Sequence, residues 1–249
     1  MSWWVTEVAD MVKLISYTTG IGENSGSLKD IVAYCARVSN PSNQMNKATS
    51  SKLIDYLIKH KHWSPFEMVN ICLEIETTRD IARQILRHRS FSFQEFSQRY
   101  ADVRDMSDVF LPRKARLQDP KNRQNSIEAD HPNYKSLNDD WYLMQKEVFD
   151  KAEEVYNQAL KRGIAKEQAR AVLPEGLTKS RMYMNGTLRS WLHYIEVRTG
   201  NGTQKEHMEI ANQCKEIIDG LLKERVIDYG EKHYTEPQIG VENEPNAFK

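Results

Sequence analysis

FEMVNICLEIETTRDIARQILRHRSFSFQEFSQRY, residues 66–100, changes its period partway along, and that change sets the fold class. From Phe66 to Thr77 the residues alternate. Val69, Ile71, Leu73 and Ile75 fall on one side; Met68, Asn70, Cys72 and Glu74 fall on the other, which is the pattern of a half-buried strand. Glu67 stands at the start of the aliphatic side, where a carboxylate needs a specific partner. Thr78-Arg79-Asp80 then opens a helix expected to run to about residue 89, with Ile81, Ile85 and Leu86 as its apolar stripe. That helix delivers Arg87, His88 and Arg89 to its C-terminal end, where the macrodipole favours cations. The dipole does not account for the residues past that end: Glu95, Ser97, Arg99 and Tyr100, interleaved with Phe91, Phe93 and Phe96. Guanidinium groups offer fixed forks of donors, so their clustering here suits a phosphate or carboxylate.

Outward from this stretch the same two periods recur. Residues 12–18 read as a strand, and helices are expected over 28–38 (Ile31, Tyr34, Cys35 and Val38 inward) and 52–59 (Leu53, Tyr56 and Leu57 inward). The loop HKHWSPFE, 60–67, holds His60 and His62. Their i,i+2 spacing with no third ligand speaks for a polar lining rather than a metal, and no metal is expected. Residues 101–131 form a long polar excursion carrying Arg113, Lys114 and Arg116. The strongest helical pattern lies over 133–162, with Leu137, Trp141, Met144, Val148, Ala152, Val155 and Ala159 as its expected inward stripe and Gly163 beyond it. A short helix at 165–172, a strand at 178–185, a helix at 188–197 and a last helix from 203 complete the pattern. Met208, Ala211, Cys214, Ile218, Leu221 and Leu222 line that last helix. From about residue 229 the chain reads as a mobile tail. The expectation is one α+β domain over residues 1–249, an antiparallel or mixed sheet flanked by long helices.

Composition narrows the function. Thirty-five basic residues balance 35 acidic ones, so a general nucleic-acid binder is not expected. Cys35, Cys72 and Cys214 are too scattered for a disulfide framework or a zinc site. The first residues lack a signal-peptide pattern, and no run reaches the ~20 apolar residues of a membrane span, so a soluble, cytoplasmic protein is expected. Neither GxGxxG nor a P-loop occurs, so any flavin would be held without a Rossmann unit.

The spacing RHR, seven residues, Ser (Arg87, His88, Arg89, Ser97), with Ala82, Arg83 and Gln84 upstream and Glu95, Arg99 and Tyr100 around it, resembles the signature of the flavin-dependent thymidylate synthases. The similarity runs from about Ser39 to about Glu209. It implies a homotetramer with sites shared between subunits. The implied cofactor is FAD, with NADPH and methylenetetrahydrofolate as co-substrates and dUMP converted to dTMP. By the same resemblance Ser39, His62, Ser64, Glu67, Arg87, His88, Arg89 and His193 would lie on the flavin. Gln84, Arg87, Glu95, Ser97, Arg99, Arg170 and Arg198 would hold the nucleotide, and Arg198, at the uracil, takes the catalytic role. Many members carry a histidine shortly after the arginine matched by Arg198; here that place falls at about Gly202. No cysteine or serine has the sequence context of an activated nucleophile. The competing reading is a noncatalytic nucleotide- or RNA-phosphate-binding protein using the same arginines, which would be colourless where a flavoprotein is yellow.

Overall fold

The computed structural model describes residues 11–129 and 134–222; the tail expected from about 229 lies outside them. Its centre is a four-stranded sheet in the order β1 (Val12–Tyr17), β2 (Asn70–Thr78), β6 (Lys179–Thr187) and β3 (Ser92–Glu95), with every pairing antiparallel. Register places like with like: Ile71 opposite Gly186, Leu73 opposite Met184, Ile75 opposite Met182. These side chains share one face and lose all contact with water. The other face is polar, with Glu76 gripping both Lys179 (2.6 Å) and Arg181 (2.5 Å).

Helices α1 (Leu28–Ala36), α2 (Ser50–Lys59), α3 (Arg79–Ile85), α6 (Leu188–Arg198) and α7 (Lys205–Leu221) contribute to the core on the apolar face. Asp30 starts α1 by accepting from the backbone N–H (3.0 Å) and hydroxyl (2.7 Å) of Ser27. Thr187 caps α6 through the Ser190 N–H at 3.2 Å. Trp191 of α6 is fully buried, and its indole N–H donates to the Ile71 carbonyl at 3.0 Å. Gln213 of α7 takes both the Met11 and Val12 N–H groups, tying the edge strand β1 to the last helix.

Several expectations need correcting. The strand at 66 begins only at Asn70; Ser64–Met68 is a 3-10 turn, because Pro65 at its start fixes a helical φ. Glu67 is therefore not on a core face. It projects from the turn and pairs with Arg189. The helix from Arg79 ends at Ile85, so Arg87, His88 and Arg89 stand in the turn beyond it. In α1 the buried stripe is Leu28, Val32 and Ala33, one residue round from the expected face, and Val38 is exposed; in α2 Leu57 is buried as expected, with Ser50 and Ile54, while Tyr56 is exposed. In α7, His207 and Ile210 are buried and Met208 only half so.

The excursion is partly ordered into a hairpin of β4 (Arg116–Gln118) and β5 (Ser126–Glu128). The largest discrepancy is in α4 (Lys135–Lys161), which forms as expected but turns a different face inward. Gln145, Phe149 and Tyr156 are buried, whereas Met144 and Val148 are 58% and 56% exposed and Leu137, Trp141 and Val155 are exposed too. The reason is what α4 packs on. Gln145 both accepts from the Arg113 N–H (2.8 Å) and donates to its carbonyl (2.9 Å), so this helix covers loop backbone that needs a polar partner. After it come α5 (Lys166–Ala169) and a 3-10 turn, Arg170–Val172. Among the described residues no helix is long and apolar enough to cross a membrane.

Candidate functional site

The candidate site residues fall into three groups, the first of them at the end of α3. The RHR turn is anchored by its own continuation. Phe91 is buried edge-on against Trp191, with ring centroids 4.8 Å apart, over Gly186 of β6. A Cβ at Gly186 would lie 2.4 Å from the Phe91 ring, so only glycine admits it. The Ser190 hydroxyl donates to the Ser90 carbonyl at 3.3 Å and ties the turn to α6.

His88 points inward from this turn. Its Nε2 accepts from Arg198 Nε–H at 2.9 Å, and its ring packs edge-on against Tyr194, 4.9 Å between centroids. Burial, with Arg198 beside it, pushes the His88 pKa down to about 4, so the ring is neutral near pH 7 and Nδ1 carries its proton. Arg198 is half-buried at the last turn of α6. Beyond His88 lies His207 of α7, fully buried and 6.3 Å away, its pKa pushed down to about 3 chiefly by burial. Its Nε2 meets the Tyr194 hydroxyl at 3.1 Å and its Nδ1 meets Gln84 Oε1 at 3.4 Å. Gln84 Nε2 donates to Gln204 Oε1 at 2.8 Å, so Gln204, Gln84, His207 and Tyr194 form one hydrogen-bonded chain, and the His88–Arg198 pair stands beside it through the ring contacts of His88 with Tyr194 and His207. Arg87 and Arg89 are exposed, and among the described residues neither has a carboxylate partner. His193 stands exposed on α6, near enough to His88 to act on it electrostatically.

The second group lies along β3 and its exit. Glu95 accepts from the Ser180 hydroxyl at 2.8 Å and faces Arg79 at 3.5 Å. The Ser97 carbonyl closes a turn by accepting from the Tyr100 and Ala101 N–H groups. Arg99 pairs with Glu167 at 3.5 Å, and Arg170 donates to the Glu167 carbonyl at 3.3 Å, so these two arginines meet at α5. One buried donor here, Gln98 Nε2, has no hydrogen-bond partner among the described residues, and Arg79 Nη1 has only its ion pair with Glu95.

The third group is the loop before β2. Ser39, His62, Ser64 and Glu67 are all exposed, and His62 stands 6.1 Å from the Tyr56 ring in an edge-on contact. Glu67 meets Arg189 on α6, and no hydrogen bond or ion pair among the described residues joins this loop to the Glu95–Arg99 segment. Sequence reasoning missed Arg79, Tyr194, Gln204 and His207. For His207 a signal existed: it shares the stripe of Ile210, Ala211 and Cys214 at helical spacing, and a histidine on such a stripe is buried with partners.

The cysteines give no nucleophile. Cys214 is buried and its thiol pKa is pushed up by burial; Cys35 and Cys72 are half-buried and raised by the same cause. No base hydrogen-bonds to the Ser97 hydroxyl among the described residues.

Residues 13–222 match the family model described as thymidylate synthase complementing protein. The chain is 51% identical over 206 residues to a protein of Paramecium bursaria Chlorella virus 1 named probable flavin-dependent thymidylate synthase, covering 83% of this chain and 92% of the relative. A flavin-dependent thymidylate synthase of Synechocystis sp. is 48% identical, with 77% of this chain and 85% of the relative covered. Among solved structures, a UMP/dUMP methylase from Streptomyces cacaoi bound with 5-Br dUMP superposes with a TM-score of 0.71 at 25% identity, covering 84% of this chain and 90% of that one. A match of this extent, over a sheet and helices that carry the RHR turn to a half-buried arginine–histidine pair, shows that the chain belongs to the flavin-dependent thymidylate synthase family.

Proposed function

We propose that this protein is an FAD-dependent thymidylate synthase that converts dUMP to dTMP, with methylenetetrahydrofolate as carbon donor and NADPH as reductant. The observation that carries the reading is the RHR turn: two uncommitted guanidinium groups flank a histidine held neutral by burial. Exposed forks without carboxylate partners fit the diphosphate of a dinucleotide cofactor. Arg87, His88, Arg89 and His193 would hold it on one side, and Ser39, His62, Ser64 and Glu67 on the other, without a Rossmann unit. When bound, the flavin supplies the reducing electrons for the transferred one-carbon unit.

The chain's own residues bind and orient the nucleotide. Arg99 and Arg170, with the Ser97 hydroxyl, suit its phosphate, and the buried donor Gln98 Nε2, without a partner among the described residues, fits an anion arriving at that end. Glu95 and Gln84 suit polar groups of the nucleoside. Arg198 stays cationic at the site and would steady negative charge developing on a uracil carbonyl. His88 accepts from Arg198 Nε–H, which leaves the outer guanidinium nitrogens for that carbonyl. No nucleophile is needed from Cys or Ser.

The functional unit in this reading is a soluble, cytoplasmic homotetramer of single-domain subunits, spanning 1–249, with shared sites. Two observations support it: among the described residues no hydrogen bond or ion pair joins the His62–Glu67 loop to the Glu95–Arg99 segment, and α4 leaves Met144, Val148 and Trp141 in water. Val148→Asp should lower the assembly state in sedimentation while the far-ultraviolet circular dichroism stays unchanged; a fully active wild-type monomer would contradict the assembly.

The functional test is a flavin titration followed by dUMP-dependent oxidation of NADPH. Binding of FAD, weakened by Arg87→Ala, and turnover that requires dUMP are expected. A folded protein that binds nucleotide phosphates but no flavin would overturn the assignment in favour of a noncatalytic binder.

A further inference from the structure

Six polar side chains run from Tyr194 of α6 through His207 of α7, Gln84 of α3, Gln204 and Glu206 to Arg116 of the β4–β5 hairpin, and one charge sets the direction of them all. Glu206 is a carboxylate held by Arg116 of β4 at 2.7 Å, so it can only accept. Gln204 therefore turns its Nε2 to Glu206, at 3.0 Å. That leaves Gln204 Oε1 facing Gln84, which must answer with its own Nε2, at 2.8 Å. Gln84 Oε1 is then left facing His207, whose Nδ1 must carry the proton. His207 Nε2 is thereby an acceptor, and it takes the Tyr194 O–H at 3.1 Å. Each group has one role consistent with its neighbours. Reversing any member would set two donors or two acceptors face to face in a buried place.

Gln84 is the only member of this relay that the nucleotide reading also uses. Its side chain has one N–H and one oxygen lone pair left over once Gln204 and His207 are served. Alone, a glutamine amide can rotate by half a turn and exchange these groups. His207 prevents it: turned over, the amide would aim N–H at the N–H of the ring. The ring itself cannot move, being fully buried between Tyr194 and the α7 stripe.

We propose that His207 is a positioning residue for the nucleotide: through this one-way relay it fixes which end of the Gln84 amide is offered to the substrate. The inference rests on the dUMP reading of the site. It extends that reading to a residue that touches neither nucleotide nor cofactor and is held from the far end by the hairpin residue Arg116.

The test is a binding cycle on the flavin-loaded, assembled enzyme. Dissociation constants for dUMP and for FAD are measured on wild type, His207→Phe, Gln84→Ala and the double variant. His207→Phe should weaken dUMP about fivefold to tenfold, the worth of one hydrogen bond, with FAD affinity unchanged within about twofold. In the Gln84→Ala background the same change should have no further effect on dUMP, because the group it positions is gone. His207→Asn, which can place an amide N–H near the imidazole Nδ1, should restore most of the affinity. Glu206→Gln, far from the buried core, removes the charge that sets the direction and should also weaken dUMP severalfold; it serves if His207→Phe does not fold. Equal losses with and without Gln84, parallel loss of FAD, or full dUMP affinity in both His207→Phe and Glu206→Gln would overturn the proposal. Wild-type protein that binds FAD but no dUMP would instead overturn the nucleotide reading itself.

Discussion

The two sides of the candidate site are built on opposite principles. On the α6–α7 side, His207 bonds to Tyr194 and Gln84, and His88 takes Arg198 Nε–H, before any ligand arrives, and burial keeps the two histidines neutral. On the β3–α5 side, Arg99 pairs with Glu167 in the open, and the neighbouring Gln98 Nε2 lacks a partner among the described residues. The first side is preorganised and depends on the core beneath it. The second is a set of exposed cations waiting for an anion, and its stability contribution is small. Perturbing the first should therefore cost folding, and perturbing the second should cost only binding.

The largest expected effect comes from breaking the core under the first side. Trp191→Ala removes a fully buried indole that touches Phe91 and Tyr194 and donates to Ile71. A loss of about 3–5 kcal/mol is expected in urea unfolding, as for other large-to-small aromatic truncations. Flavin affinity should fall with it, because Phe91 anchors the RHR turn on that ring. Loss of less than about 1 kcal/mol would show the turn to be held from elsewhere.

The next effect is acid sensitivity. In the unfolded chain both histidines titrate near 6.5; in the folded chain they do so at about 4 and about 3. The unfolded state takes up protons first, so their contribution is present above pH 6.5 and is lost as pH falls towards the folded values. For His207 alone the loss between pH 6.5 and pH 5 is about 2 kcal/mol at about 1.4 kcal/mol per pH unit. His207 is faced by Arg198 and His88, and by Tyr194 and Gln84 as neutral partners, so no carboxylate offsets the protonation. Unfolding free energies measured across this window should fall in wild type and fall less steeply in His207→Phe, where His88 still contributes. An equal slope in both would place the acid sensitivity on other groups.

The same contrast explains what could be read from the chain. Ile71, Leu73 and Ile75 alternate because they lie on a strand with one wet and one dry face, and the sheet they predict is there. Glu67 misled because the alternation continues backwards into a turn that Pro65 imposes, and side-chain period cannot see that boundary. The RHR motif was legible as chemistry, but its neutral histidine was not: His88 owes its state to Tyr194 and Arg198, more than 100 residues away. The stripe of α4 was read correctly as apolar and wrongly as buried within the chain, since periodicity marks a face and does not say what covers it. His207 escaped notice because burying an imidazole needs partners from three separate segments.

The smallest expected effect tests the exposed side. Glu167 contacts Arg99 at 3.5 Å with about half of each side chain in water, so the pair is worth roughly 0–1 kcal/mol to the fold. If Arg99 is there for a phosphate, that pair must open when dUMP binds, and Glu167 competes with the substrate. Removing the competitor then helps. Glu167→Gln should leave stability unchanged within about 0.5 kcal/mol and tighten dUMP binding by up to about fivefold, the most a surface pair can return. Arg99→Ala should leave stability similarly untouched while weakening dUMP by about 1.5–3 kcal/mol, the range for a hydrogen bond to a charged group. Calorimetric titration with dUMP on the two flavin-loaded variants separates the possibilities. Weaker binding in Glu167→Gln would mean that the carboxylate holds Arg99 in its productive orientation, and the exposed side would then be as preorganised as the buried one.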